Sequence, residues 1–298
     1  MRSVALIVTF NRLEKLKLCW ASTAQQSFDD IVIVNNTSTD GTKEWLDSIV
    51  DSRLHRLHLM SNSGGAGGFK QGAAFIRDNI KADWVFIYDD DAYPQDNIVE
   101  NFTDEAESTK FDAYATKVVD AAGAVCKMNL PWKKYPTTFI DNISYLREPS
   151  LYCVNGQFAE DIISFSFVGL IIKRDLLSKT TDFIHDDLFI YYDDVYYAHH
   201  LKISGARMRY LPGINFIHDI NQNSKTISPV WKVYYLTRNL LLAKSYFGAE
   251  SPYSSCFVSM RLLKYIAISI KQSTPLRYTK YVIKGLIDGC VMRTGRRH

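Results

Sequence analysis

The stretch Trp84-Val85-Phe86-Ile87-Tyr88-Asp89-Asp90-Asp91-Ala92-Tyr93-Pro94 constrains this chain more than any other. An apolar run of strand-formers drives into three consecutive carboxylates, and a proline stops it. Such a run predicts a buried parallel strand. In open α/β sheets, ligands bind beyond the carboxyl ends of the strands. Three acids there repel one another unless something positive sits among them. A hard divalent cation, Mg²⁺ or Mn²⁺, shared with a substrate phosphate would meet that need. A solvated acidic turn is the simpler alternative. Along an extended chain Asp89 and Asp91 face the same way, and Asp90 points elsewhere, toward a sugar hydroxyl or a ribose.

The residues before this stretch alternate between strand and helix. Ser3–Phe10, Ile31–Val34 and His55–Met60 read as strands. Leu13–Ala24 and Lys43–Val50 read as helices, and a third opens in Asn62-Ser63-Gly64-Gly65-Ala66-Gly67-Gly68-Phe69 and runs through Ile80. The order β-α-β-α-β-α-β predicts a parallel sheet with right-handed crossovers. Every strand then ends in polar or glycine residues on one edge, where a nucleotide would lie. The glycine cluster has neither the Rossmann spacing nor the Lys-Ser/Thr of a P-loop. It is either a flexible turn or a place where backbone approaches a ligand closely.

Beyond Pro94 the expected elements are a helix at 95–108, a strand at Ala113–Val119, and loops and short strands over the site at 126–160. A strand at Ser164–Ile172 and a helical turn at Arg174–Ser178 follow. Asp193-Asp194 stands at the start of a helix on an aromatic background, where helix capping alone would account for it. Arg207–Leu211 and Asn215–His218 are two short strands. His218 is a structural histidine or a ligand. Three helices end the chain, beginning at Val230 and spanning Tyr253–Gln272 and Tyr278–Met292.

Charge is unevenly placed. From Lys225 onward there is a surplus of 11 positive charges, so the first 224 residues stand at −8 against a net +3. We read residues 1–224 as a catalytic domain, with a nucleotide half over about 1–120 and an acceptor half over 121–224, and 225–298 as a basic helical region. Basic amphipathic helices with aromatics lie in membrane interfaces, and ordinary packing on the catalytic domain is the alternative. Aromatics at 13% suit carbohydrate stacking or a Tyr-rich core. Five scattered cysteines without a C-x-x-C argue against zinc and disulfides and for a reducing cytosol. The five-residue apolar run after Met1-Arg2-Ser3 is too short for a signal peptide, and no stretch is apolar for long enough to span a bilayer. The acidic body lacks a basic groove, which argues against nucleic acid as a partner.

As an ordered set these pieces resemble the family 2 inverting glycosyltransferases over about residues 3–240. Val8-Thr9-Phe10-Asn11-Arg12 is similar to that family's opening strand and loop, Val34–Thr42 to its V-D-N-x-S-T-D-G-T loop, and Asp89-Asp90-Asp91 stands where its D-x-D motif belongs. The resemblance implies an α/β GT-A fold, a mostly parallel sheet flanked by helices with a helical C-terminal appendage. Within the family, Asn62 to Phe69 followed by the three acids is most similar to the bacterial galactofuranosyltransferases, with rhamnosyltransferases the nearest relatives.

That resemblance implies a UDP-galactofuranose donor, with dTDP-rhamnose as the alternative, and a glycan or glycolipid acceptor in bacterial cell-surface polysaccharide synthesis. With the basic tail and the scattered cysteines, an enzyme at the inner face of the cytoplasmic membrane is expected. Donor contacts would come from Thr9, Asn11, Arg12, Asn35, Asn36, Asp40, Asn62, Gly64, Gly65, Gly67, Gly68, Phe69, Asp89 and Asp90. Asp89, Asp91 and His218 would hold Mn²⁺ or Mg²⁺. Asp194, with Asp193, would supply the catalytic base, and Gly169, Asp193, Tyr196 and Arg238 would meet the acceptor. Asn35 stands where the family has Asp, and Tyr196 replaces the Glu of an Asp-x-Glu motif. Intact acids argue against the third reading, a non-catalytic nucleotide-sugar-binding scaffold.

Overall fold

A computed structural model describes residues 1–108, 110–220 and 226–298. The apolar runs of the first third become β1 (Ser3–Thr9), β2 (Asp30–Asn35), β3 (Leu54–His58) and β4 (Trp84–Asp89), separated by α1 (Leu13–Ala24), α2 (Thr42–Ser48) and α3 (Gly64–Asn79). These four strands are parallel, as expected. After them come β5 (Ala92–Pro94), α4 (Ile98–Ser108), β6 (Ala113–Val119), α5 (Phe139–Arg147), β7 (Leu170–Lys173), α6 (Arg174–Thr180), α7 (Asp193–Ile203) and β8 (Met208–His218). All the described strands join one sheet in the order β3-β2-β1-β4-β7-β6-β8-β5. β7 runs antiparallel to both β4 and β6, and β5 runs antiparallel to β8.

The strand period splits the core in two. Val4, Leu6 and Val8 of β1 face α3, where they meet Phe69, Ala73 and Ile76. Ala5 and Ile7 face the other way, with Leu16 and Cys19 of α1 and Phe102 of α4. Because both faces are covered, the strands are apolar throughout rather than alternating. A third apolar cluster joins Leu188 and Tyr196 to α8 (Lys232–Phe247), α9 (Ser255–Ala267) and α10 (Pro275–Cys290).

Register places the functional residues. Val8 pairs with Asp89 and Thr9 with Asn35, so three strand ends stop at one edge. Ala92 pairs with His218 across β5 and β8, which sets a distant histidine next to Asp91.

Four expectations need correcting. The run Ser164–Ile172 is strand only from Leu170, because Gly169 takes φ +76° and breaks the extended chain. The two short strands at 207–218 are one, whose Pro212-Gly213 interruption is absorbed by a register shift opposite Thr116 and Lys117. Within 126–160 lies α5, begun by a capping box in which Thr138 and Asp141 satisfy each other's backbone amides. The helix expected over Tyr253–Gln272 runs from Ser255 to Ala267 and tightens into a 3₁₀ turn.

Candidate active site

A cavity of about 480 Å³ opens at the carboxyl edge of the sheet. Its wall takes Thr9, Phe10 and Arg12 from the end of β1, Asn36 from the end of β2, Asn62, Gly64, Gly65 and Phe69 around the start of α3, and Asp89 and Asp90 from the end of β4. Asp193 and Asp194 at the start of α7, and His218 at the end of β8, also line it, whereas Asp91 does not.

The three acids part company. β4 ends at Asp89, and Asp90 and Asp91 form a turn before β5. The alternation expected of an extended chain therefore fails. Asp90 Oδ2 accepts from the Thr9 hydroxyl (2.8 Å) and the Phe10 amide (3.3 Å), and its Oδ1 from Arg12 (3.2 Å). Burial pushes its carboxyl up to about 6 although Arg12 opposes the shift. Asp91 Oδ2 accepts from the same Arg12 nitrogen at 2.5 Å, and Lys15 lies 3.8 Å away. Burial acts to raise Asp91 too, but the His218 hydrogen bond and the Arg12 charge bring it down to about 2. Asp89 is raised well above the carboxylate range, by burial and then by the charges of Asp91 and Asp90.

Among the described residues no three His, Cys, Asp or Glu side chains are grouped to hold a metal ion. The expected trio is thus brought together only in part. Asp91 Oδ1 and His218 Nε2 face each other at 3.4 Å. His218 Nδ1 lies 3.2 Å from Asn129 Oδ1, and Asn129 Nδ2 donates to Ser166 (2.9 Å). His218 Nδ1 thus faces an amide oxygen and Nε2 a carboxylate, and with Nε2 deprotonated the same pair would hold a cation between them.

The glycine cluster divides its work. Gly64 has φ +75°, and a Cβ there would sit 2.0 Å from the Phe189 carbonyl. Asn36 fastens this corner: its amide donates to Gly64 O (2.7 Å) and its oxygen accepts from Ser63 N (2.9 Å). Gly67 and Gly68 do not line the cavity. A Cβ on Gly68 would meet Val8 at 2.5 Å, so this glycine lets α3 press on β1.

Asn11, Asn35 and Asp40 also stand back from the cavity and hold its loops. Thr39 N donates to Asn11 Oδ1 (2.7 Å), Ser38 N to Asn35 Oδ1 (2.9 Å) and Leu13 N to Asp40 Oδ2 (2.9 Å).

Three residues expected at the acceptor are elsewhere. Gly169 is buried, and its carbonyl accepts from the Thr116 hydroxyl (2.9 Å). Tyr196 is wholly buried, and its hydroxyl donates to Asn239 O (2.6 Å). Arg238 is also wholly buried and is spent on the carbonyls of Leu188 (2.8 Å) and Gly295 (2.6 Å). Beside it Asn239 donates to Leu188, Ile190 and Tyr191 carbonyls at 2.7–3.1 Å. These two side chains hold the loop in which Phe189, Tyr191 and Tyr192 all have positive φ. Such strain persists only where surroundings over-determine it.

The loop delivers Asp193 and Asp194 to the cavity. Asp194 Oδ1 accepts from Val195 N at 2.7 Å. Burial pushes both carboxyls up. Asp194 rises to about 6, and Asp193, which also feels the Asp194 charge, to about 8. At neutral pH one carboxyl of the pair is suited to accept a proton and the other to keep one.

Several wall residues carry no motif. Asn129, Ser166, Tyr191, Tyr192, Trp231, Lys232, Arg296 and His298 all line the cavity. Ser166 lies in a segment read as strand and the others in segments read as loop or helix, and no spacing rule marks any of them.

An open α/β sheet with acids, a glycine corner and a carboxyl pair at its carboxyl edge defines the GT-A class of nucleotide-sugar transferases. Residues 4–163, over half of the chain, match the model of Glycosyl transferase family 2, and the chain belongs to that family. No curated protein sequence matches it. Among solved structures it is similar to residues 1–349 of S. aureus TarS in complex with UDP-GlcNAc, with 14% identity and a TM-score of 0.60 over 98% of this chain and 82% of that one. A longer TarS structure matches at 15% identity and a TM-score of 0.53, covering 90% of this chain, which spans 43% of that one. GalNAc-T7 with UDP, GalNAc and Mn²⁺ matches at 12% identity and a TM-score of 0.57, over 91% of this chain and 57% of that one. At these identities the likeness is one of fold.

Proposed function

We propose that this protein is an inverting galactofuranosyltransferase that moves galactofuranose from UDP-galactofuranose to a hydroxyl of a lipid-linked glycan in bacterial cell-surface polysaccharide synthesis. The observation that carries the transfer chemistry is the raised carboxyl pair Asp193–Asp194 on the same cavity as Thr9, Asn36, Gly64 and Asp89. A uridine diphosphate donor is supported by the UDP-GlcNAc on TarS and the UDP on GalNAc-T7. The galactofuranosyl assignment is supported by the run from Asn62 to Phe69 and the three acids.

In the reaction Asp194 takes the proton of the acceptor hydroxyl, and the freed oxygen attacks the anomeric carbon. The bond from that carbon to the diphosphate oxygen breaks, and the configuration inverts. Val195 N orients the base, and Asn239 holds the loop that carries it. Mg²⁺ or Mn²⁺ held by Asp91 and His218, with Asp89 alongside, would neutralise charge on the departing diphosphate.

An acceptor at a membrane surface is supported by α9, the turn after it, and α10. Leu263, Ile270, Leu276 and Ile287 are exposed at 64%, 79%, 91% and 55%. Lys264, Lys271, Lys280 and Lys284 stand among them. Among the described residues no helix is long and apolar enough to cross a membrane. An apolar face rimmed by lysines suits the interface of an anionic leaflet instead, which would place the enzyme on the inner face of the cytoplasmic membrane.

The deciding experiment is turnover across a panel of UDP-galactofuranose, UDP-galactopyranose, UDP-glucose, UDP-N-acetylglucosamine and dTDP-rhamnose, each with Mn²⁺ and with chelator. Selective, chelator-sensitive use of UDP-galactofuranose is the expected result. Preference for dTDP-rhamnose moves the donor and keeps the roles of Asp89, Asp91 and Asp194. Absence of turnover and binding with every donor returns the scaffold reading. Separately, Ile270→Ser with Leu276→Ser is expected to abolish co-sedimentation with anionic vesicles, and unchanged partition would remove the membrane assignment.

A further inference from the structure

The donor motifs leave one part of the cavity wall unexplained. Beyond α10 the chain turns back to the mouth of the site, and Arg296 and His298 enter its lining. This segment is anchored. Gly295 N donates to Asp187 O (2.6 Å), and Gly295 O accepts from the buried Arg238 (2.6 Å). Arg297 N donates to the Tyr235 hydroxyl (3.1 Å). His298 Nδ1 lies 2.7 Å from that hydroxyl, and its ring stacks on Trp231 at 3.9 Å and 11°.

The anchors present charge. The Arg296 guanidinium lies 5.8 Å from the centre of the Phe189 ring. The Phe189 carbonyl in turn accepts from Ala66 N (3.2 Å), in the first turn of α3 beside Gly64 and Gly65. Lys232, at the start of α8, is half-buried in the same lining. Arg12 is committed to Asp90 and Asp91, whereas Lys232 and Arg296 are in no ion pair among the described residues.

We propose that Arg296 and Lys232 form the anion subsite for the donor's diphosphate, so that residues 294–298 are a working part of the donor site. This rests on the nucleotide-sugar reading above. A guanidinium and an ammonium without carboxylate partners are free to give charge-assisted hydrogen bonds to phosphate oxygens. Arg238 has a positioning role: it bonds both the tail, at Gly295, and the loop before Asp193, at Leu188. Donor capture and placement of the base thereby share one anchor.

The test is calorimetric titration of UDP and dTDP into the full chain, Arg296→Gln, Arg296→Lys, Lys232→Gln and a chain lacking residues 296–298. Uridine is the competitor that lacks phosphate. The expected result is a loss of about tenfold or more in nucleoside diphosphate affinity for Arg296→Gln, Lys232→Gln and the shortened chain. Uridine affinity stays the same and Arg296→Lys recovers part of the loss. UDP affinity within about twofold of wild type in Arg296→Gln and Lys232→Gln overturns the subsite. Equal losses for uridine and UDP also overturn it, because they assign the tail a structural role. A wild-type chain that binds neither nucleotide removes the donor reading and this inference with it.

Discussion

Asn129 Oδ1 lies 3.2 Å from His218 Nδ1, although 89 residues separate them in sequence. The contact orients the imidazole and leaves Nε2 aimed at Asp91, 3.4 Å away. Outer partners of this kind orient a metal-binding histidine and raise its basicity. Asn129→Ala is therefore expected to weaken Mn²⁺ binding by about ten- to a hundredfold, read from the free-ion EPR signal with the fold checked by thermal melt. Unchanged Mn²⁺ affinity would remove Asn129 from this role.

Asp194→Asn keeps the size of the side chain and removes the carboxylate proposed as the base. Transfer is expected to fall by about 10²–10⁴-fold, while UDP affinity changes little. Since the base acts ionised and its carboxyl sits at about 6, wild-type kcat/KM should rise with pH through that value and then level. Retained turnover in the variant, or a flat profile from pH 5 to about 7, would sink the assignment.

Asp193 gives a stability prediction of definite sign. Burial and the Asp194 charge raise its carboxyl from the ordinary 3.8 to about 8 in the folded chain. Between those values the folded state holds a proton that the unfolded state has released. Stability from this group is fully present below the unfolded value and is lost as pH rises through about 8. Asp193→Asn removes that dependence, so its melting temperature should gain on wild type as pH rises from about 5 to about 9. Parallel curves for the two proteins would contradict the raised carboxyl.

Asn239→Ala removes a donor from three carbonyls of the strained loop at 188–191, of which Leu188 O keeps Arg238. Leaving the Ile190 and Tyr191 acceptors short of a partner should cost about 1–3 kcal/mol of stability by urea unfolding. It should also lower kcat more than it raises donor KM, because the loop carries the base rather than the donor contacts. A loss of stability with normal kcat would confine Asn239 to a packing role.

Much of the donor edge was legible because it is local. Trp84–Tyr88 is apolar for its whole length, and a strand buried on both faces has no other composition open to it. Thr9, Asn36, Gly64 and Asp89 follow strand ends or open a helix, so the strand pattern alone set them on one edge. The capping box at Thr138 and Asp141 was equally local and went unread. Residues read by resemblance fared differently. Tyr196 and Arg238 neighbour the site in sequence pattern, but their side chains turn inward to Asn239 and to the carbonyls of Leu188 and Gly295. Direction depends on what packs around a helix: α8 packs on α10, and Tyr196 of α7 reaches across to α8.

By itself the amino-acid sequence determined the alternation of strands and helices, the parallel half of the sheet, and the carboxyl edge as the place where polar and acidic side chains gather. Those depend on the period of apolar residues and on short turns, which act over a few neighbours. The tertiary structure alone decided that Asp90 and Asp91 share Arg12, that His218 meets Asp91 and Asn129, and that Trp231, Lys232 and Arg296 close the cavity. Each of these depends on pairing between segments far apart in the chain. The pairing of Ala92 with His218, or of Gly295 with Arg238, follows from how whole elements bury their faces, and no local pattern records it.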